Sequence, residues 1–299
     1  MSEARELHLR APAKLNLFLR VLGRRSDGYH DIETVFHGIT LADDLTVTAT
    51  LSGSVTVQMS HPEGLPAAVP TTEDNLAYVA ARALAARSGM DVGAEIRITK
   101  RIPLGAGLGG GSSDAAGALV ALNTLWGTGL DAAGLMDVAR DVGSDVPYFL
   151  VGGSATGTGR GEVVRPLTAD AGLWFVLGIS TAPLSTAEVY ERWSTNPSTG
   201  RPGLPDMIEA VGAGDPALVG ARVHNDLEPA ACGLRPELGD ATTAMAAAGA
   251  LGARVSGSGP TVFGVAASRA HAEEVAGRVA PSFDAVEIVR SAPRWSDNT

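Results

Sequence analysis

The chain's 299 residues include 33 acidic and 23 basic side chains, a formal charge of −10. That balance excludes nucleic acid or an anionic membrane as the main partner, because those surfaces select for positive stripes. With 45% apolar and 19% charged residues it is a globular chain, long enough for two domains, and its longest apolar run, near "LWFVLGI", is too short to cross a bilayer.

The first fifteen residues lack a signal-peptide core, so a cytoplasmic protein is expected. The single cysteine, Cys232, lies in an Ala/Gly context and reads as a buried, inert thiol. The six histidines show no zinc-ligand spacing. Of the 23 basic residues only Lys14 and Lys100 are lysine. Against that preference for arginine, each is either a chance survivor or a place that needs a compact ammonium.

In chain order, residues 5–60 read mostly as strands, from the alternation in "LHLRAPAKLNLFLRVL" and the Val/Thr content of "DDLTVTATLSGSVTVQM". A proline-marked loop leads to a helix over 75–88, with Thr72 or Asp74 as the expected cap. "GAEIRITKRIP" alternates as a strand, and a glycine-rich loop then opens a helix whose first turn is expected to be "SSDA". A further helix runs from near Asp131 to Gly143. After "VGGSATGTGRGE" come a buried strand, "LWFVLGIS", a helix at "TAEVYERW" and a proline-broken stretch to about residue 206. A helix at "ELGDATTAMAAAG", two short strands around "ARVSGSGPTVFGVAA", a helix at "RAHAEEVAGRV" and a last strand at "DAVEIV" complete the order. Strands alternating with helices in this way predict an α+β fold, with domains at 1–160 and 161–299.

The loop "PLGAGLGGGSS" places five glycines in the seven positions from 105 to 111. "GAGLGG" matches the dinucleotide pattern, but Asp131, about twenty residues on, does not end a strand as that fold requires. Gly111 stands where a P-loop needs lysine. A bare backbone feeding a helix N-terminus suits a polyanionic nucleotide phosphate; the plainer reading is a tight packing turn. Lys14 and Asn16, two apart, share one face of a strand, either buried with partners or at a solvated edge. Asp145, between a helix stop and Val-Pro, reads by itself as a cap, and "RVSGSGPTVFGV" as a hairpin or as an element pressing on the nucleotide loop.

Together, "PAKLNLFLRVLGRRSDGYHDIETVF", "GLGGGSSDAA", "GSDVPYFL", "HNDLEP" and "SGSGPTVF" resemble the GHMP kinase superfamily, in the family's order and over nearly the whole chain. The resemblance implies a two-domain fold, with an N-terminal domain like ribosomal protein S5 domain 2 and a ferredoxin-like C-terminal domain. It implies an ATP-dependent kinase, acting in a cleft between domains on the 2-hydroxyl of a methylerythritol joined to cytidine diphosphate, in the non-mevalonate route to isoprenoids. Lys14 and Asp145 fall on the family's catalytic pair. Asn16, Tyr29, His30, Thr186 and Tyr190 fall on substrate-binding positions. Asn75, Lys100, Pro103, Leu104, Gly105, Ala106, Gly107, Leu108, Gly109, Gly110, Gly111, Ser112 and Ser113 fall on the ATP site, and Gly257, Ser258 and Gly259 on the late glycine turn. Mg²⁺ is expected with ATP. Other members carry serines in place of Gly110 and Gly111, one of them a metal holder, so the metal ligands stay unassigned. The implied partners are ATP and a small cytidine conjugate, with monomer or homodimer left open. The alternatives are a GHMP kinase for homoserine, mevalonate or a sugar, and a non-catalytic nucleotide sensor on the same fold.

Overall fold

The computed structural model describes residues 5–50, 53–60, 74–168, 172–180, 182, 184–195 and 203–294. Its contacts divide the chain into two compact units. The first comprises Met1–Ala13, Leu41–Leu104 and Gly109–Leu150, and the second Lys14–Thr40, Gly105–Leu108 and Val151–Thr299.

Two long strands, β1 (Glu6–Arg24) and β2 (His30–Thr50), contribute to both units. In the first unit the end of β2 pairs antiparallel with β4 (Gly93–Thr99), and β3 (Val55–Ser60) pairs parallel with β4. Leu45, Val47, Ile96 and Ile98 alternate inward along these strands, as a half-buried sheet demands. Helices α1 (Leu76–Ser88) and α2 (Gly110–Trp126) pack on each other through small residues, Ala77, Ala80 and Ala81 on one and Ala115, Ala118 and Ala121 on the other, all fully buried. Then follow α3 (Ala132–Val142) and α4 (Val146–Val151).

In the second unit the start of β2 pairs with β5 (Ser154–Gly159), which pairs with β6 (Val163–Pro166). A separate antiparallel sheet has the order β11-β7-β10-β9, built from β7 (Trp174–Ile179), β9 (Gly252–Val255), β10 (Val262–Ala266) and β11 (Ala285–Arg290). Taken in sequence that is fourth, first, third, second, the order of a ferredoxin-like sheet. Helices α9 (Glu237–Ala247) and α10 (Arg269–Val279) pack against one face of it, where Met245 and Val275 join Val176 and Val262 in one core, while Phe175 and Phe263 alternate to the other face and meet each other. The chain between β7 and α9 forms α5 (Thr186–Thr195), α6 (Leu204–Ala213), α7 (Pro216–Arg222), the two-residue β8 (His224–Asn225) and α8 (Glu228–Leu234). β8 pairs in parallel with β1, His224 opposite Phe18 and Asn225 opposite Leu19.

Local signals placed α3 well: Asp131 caps it through Gly134 N, and it stops at Gly143. Three expectations need correction. The cap of α1 is Asn75, whose Oδ1 accepts from Ala77 N; Asp74 precedes it and Thr72 lies outside the described residues. The first turn of α2 is Gly110–Ser113, two residues earlier than "SSDA", because the left-handed Gly109 rather than a side-chain cap precedes it. Cys232 is half-buried, and burial pushes its thiol up to about 11, with Glu228 adding to the shift.

Candidate active site

In the second unit, strand alternation puts Lys14 and Asn16 on one face of β1, and both are buried, so the solvated-edge reading does not hold. Lys14 Nζ donates to Asn16 Oδ1 at 2.6 Å and to Gly107 O at 2.9 Å. Asn16 Nδ2 donates to Thr34 Oγ1 at 2.8 Å, and Thr34 Oγ1 donates to Phe18 O at 2.6 Å. The ammonium lies 5.9 Å from the centre of the Phe36 ring. A buried lysine is thus oriented by oxygens whose own positions are bonded in turn.

The segment Gly105–Leu108 runs between Lys14 and the late glycine turn. Lys14 N donates to Leu108 O, Thr261 N to Ala106 O, and Ser256 Oγ to Gly107 O at 3.1 Å. Gly107 has φ +75°, and a Cβ there would stand 2.1 Å from Ser256 O, so only glycine fits. The hairpin turn therefore does press on the glycine segment. At its tip, a Cβ on Gly257 would lie 3.1 Å from Asn16 Oδ1 and 3.4 Å from Lys14 Nζ.

Helix α5 carries the next group on one face, by its spacing of four and three. Thr186 Oγ1 is 2.8 Å from Ser258 Oγ in that turn. Tyr190 stacks on His30, ring centres 4.9 Å apart, and Trp193 meets His30 edge-on at 5.6 Å. Burial lowers the His30 pKa, and the Arg24 charge lowers it further, so the imidazole favours its neutral form. Tyr29 is 55% exposed with the Arg160 guanidinium 4.7 Å from its ring centre, which rules out a core role.

In the first unit, α2 starts from Gly109, a left-handed residue with no side chain to cap the helix, so its first N–H groups can take an anion instead. Ser113 Oγ is occupied by Pro12 O at 2.7 Å. Pro103, Leu104 and Ser112 are half-buried, and Gly111 is exposed. Beneath this turn Lys100 Nζ donates to Asp114 Oδ2 at 2.7 Å and to Asp43 Oδ2. Asp43 Oδ1 accepts from Arg101 N and Ile102 N, and a Cβ on Gly110 would lie 3.2 Å from Lys100 Nζ. Burial works against the Lys100 charge, but Asp114 and Asp43 outweigh it and raise its pKa. Burial also pushes Asp114 up to about 7 against the pull of Lys100, and its Oδ1 makes no hydrogen bond. Asn75 is engaged at both ends, its Nδ2 on Met59 Sδ and its Oδ1 on Ala77 N. Asp145 is half-buried just before α4. Burial raises the pKa of the neighbouring Tyr148, and the Asp145 charge raises it further.

The family model described as the GHMP kinases N terminal domain matches residues 75–153, and that described as GHMP kinases C terminal matches 207–284. A 4-diphosphocytidyl-2-C-methyl-D-erythritol kinase of Pelotomaculum thermopropionicum is 43% identical over 281 residues, covering 94% of this chain and 96% of that one. The chain belongs to the GHMP kinase family. A crystal structure of a 4-(cytidine 5'-diphospho)-2C-methyl-D-erythritol kinase superposes on this GHMP kinase with a TM-score of 0.79 at 34% identity, covering 96% of this chain and all of that one. A homoserine kinase from Cytophaga hutchinsonii, at TM-score 0.73 but 20% identity over 98% of this chain and 96% of its own, shares the fold.

Several residues that hold this kinase's groups in place went unassigned in the sequence reading. Thr34, Asp114 and Asn225 stood inside motifs already singled out, where a polar residue needing a partner was the available signal. Asp43, in "LADDL", had none, since its partners are 57 and 71 residues away.

Proposed function

We propose that this kinase transfers the γ-phosphoryl group of ATP to the 2-hydroxyl of 4-diphosphocytidyl-2-C-methyl-D-erythritol, giving the 2-phosphate and ADP. The observation that carries the reading is the buried Lys14 ammonium, fixed between Asn16 and the Gly107 carbonyl. The relatives' shared name supports the acceptor.

Phosphoryl transfer through a loose transition state needs alignment and charge neutralisation more than covalent help. The N–H groups at the start of α2, with the glycines from 105 to 111, receive the nucleotide's phosphates. Lys14 compensates charge on the moving phosphoryl group, and Asp145 accepts or orients the proton of the attacking hydroxyl. Asn75 and Lys100 border the adenine by position, their polar atoms engaged as described above. Tyr29, His30, Thr186 and Tyr190 receive the cytidine, for which a neutral imidazole beside an aromatic ring is suited. Gly257, Ser258 and Gly259 shape the floor under Lys14 and Asn16. Among the described residues no group of three or more His, Cys, Asp or Glu could hold a metal; Mg²⁺ would come with ATP and would neutralise charge on its phosphates, with its protein ligands unassigned. Among the described residues no helix is long and apolar enough to cross a membrane, and we place the reaction in the cytoplasm, where ATP is at hand.

The test incubates purified protein with Mg-ATP and, separately, the cytidine conjugate, homoserine, mevalonate and galactose, following products by phosphorus NMR. A new phosphomonoester on the cytidine conjugate alone is expected. Faster turnover of another alcohol, or ADP release indifferent to the acceptor, would overturn the reading.

A further inference from the structure

The motif "HNDLEP", residues 224–229, has no role in the chemistry above, yet it is bonded to the strand and turn that surround Lys14. Asp226 N donates to Leu19 O, and Asp226 Oδ2 accepts from Val21 N, which clips the motif to β1 just beyond Lys14 and Asn16. His224 Nε2 lies 2.8 Å from Asp226 Oδ1 and steadies that carboxylate. Glu228 Oε2 accepts from Val255 N at 2.7 Å, at the end of β9.

Between these anchors Asn225 uses both of its N–H donors and its carbonyl oxygen. Its Nδ2 donates to Val255 O at 2.8 Å and to Gly257 O at 2.7 Å, on either side of Ser256, and its Oδ1 accepts from Leu227 N at 2.9 Å. The side chain is buried, and two donors with one acceptor on so short a stem is a demand that a primary amide meets and a carboxylate does not. The two carbonyls it holds bracket Ser256, whose hydroxyl binds Gly107 O, the same oxygen that accepts from Lys14 Nζ. A Cβ added to Gly257 would lie 3.1 Å from Asn16 Oδ1 and 3.4 Å from Lys14 Nζ, so the turn runs close against both.

We propose that Asn225 is a positioning residue for phosphoryl transfer, which fixes the 256–257 turn and through it the Gly107 carbonyl and the Lys14 ammonium. Removing its amide frees Val255 O and Gly257 O, lets the turn move away from Gly107, and releases one side of the cage that orients Lys14. The effect belongs to alignment in the transition state, so it falls on kcat and not on nucleotide affinity.

The turnover arm of the test rests on the catalytic reading of Lys14, and the labelling arm does not. Because Lys14 and Lys100 are the protein's two lysines, limited acetylation followed by mass spectrometry reads each directly. Asn225→Ala should speed modification of Lys14 about tenfold or more relative to Lys100, as a buried amine gains freedom and solvent. Equal acceleration at both lysines would mean general loosening, and no acceleration would mean that Asn225 does not govern Lys14; either result overturns the proposal. In turnover, Asn225→Ala should lower kcat about tenfold with KM for ATP within a few-fold, and should cost nothing further in a Lys14→Met background. Losses that multiply would overturn it. If Asn225→Ala does not fold, Gly257→Ala, whose Cβ intrudes on Asn16 Oδ1, is carried through the same cycle with the same expected non-additivity. Should Lys14→Met itself keep full turnover, the catalytic reading of Lys14 falls while the labelling result still decides Asn225.

Discussion

The two lysines are both buried, at 4% and 1% exposure, and belong to different units of the chain. Lys14 donates to an amide oxygen and a peptide carbonyl, bonds that orient the ammonium. Lys100 sits between the carboxylates of Asp43 and Asp114, whose charges balance it and tie β2, the end of β4 and the start of α2 together. The difference teaches that burial of a cation says little about its work until its acceptors are known: two carboxylates make Lys100 a fastening, while an amide and a peptide oxygen aim the Lys14 ammonium.

Breaking the fastening should give the largest effect. Lys100→Met leaves Asp43 and Asp114 buried without their cation and should cost about 3–5 kcal/mol in urea unfolding. A loss under about 1 kcal/mol would mean that the triad is not holding the first unit. Lys14→Met should reverse the pattern, with kcat lowered about a hundredfold, roughly 2.7 kcal/mol of transition-state stabilisation, and a melting temperature within a few degrees of the parent. If its melting temperature falls as far as that of Lys100→Met, the contrast between the lysines disappears.

Gly107→Ala sharpens the comparison from the acceptor side. Its Cβ would collide with Ser256 O in a left-handed backbone, so a stability cost on the order of 1–3 kcal/mol should accompany at least a tenfold loss in kcat/KM for ATP. Steady-state kinetics matching the parent would show that the carbonyl accepting from Lys14 need not stay where it is.

The smallest effect is expected from Asp114→Asn in acid, below the unfolded pKa of the carboxylate. The Asp114 pKa is raised in the folded protein to about 7, above its unfolded value near 3.8, so the native state holds the proton more tightly. That contribution is complete below the unfolded pKa and is lost as pH rises through the folded one. The amide imitates the protonated acid, so variant and parent should unfold alike below about pH 3.8, and the variant should gain on the parent as pH rises from there to about 7. Parallel curves of unfolding free energy against pH would show that Asp114 does not carry this titration.

Much of the local structure was legible because its causes lie within a few residues. Asp131 and Gly143 bound α3, alternating apolar residues mark β1, β4 and β11, and the order of motifs pointed to the family before any coordinates. Helices α6 to α8 were not legible, since they are short and interrupted by glycine and proline, and packing of α6 on α7, of α7 on β9 and β10 and of α8 on α5 stabilises them. The same divide runs through the candidate site. Composition alone singled out Lys14 and Lys100, and the glycine run alone announced a backbone that must approach something closely. What each lysine holds was decided by strands and turns far apart in sequence: Asp43 is 57 residues from Lys100, and Gly107 is 93 from Lys14. A side chain's type and its neighbours along the chain set what it can bond, but the partner that makes a buried charge affordable is chosen only when β-pairing and core packing bring distant segments together.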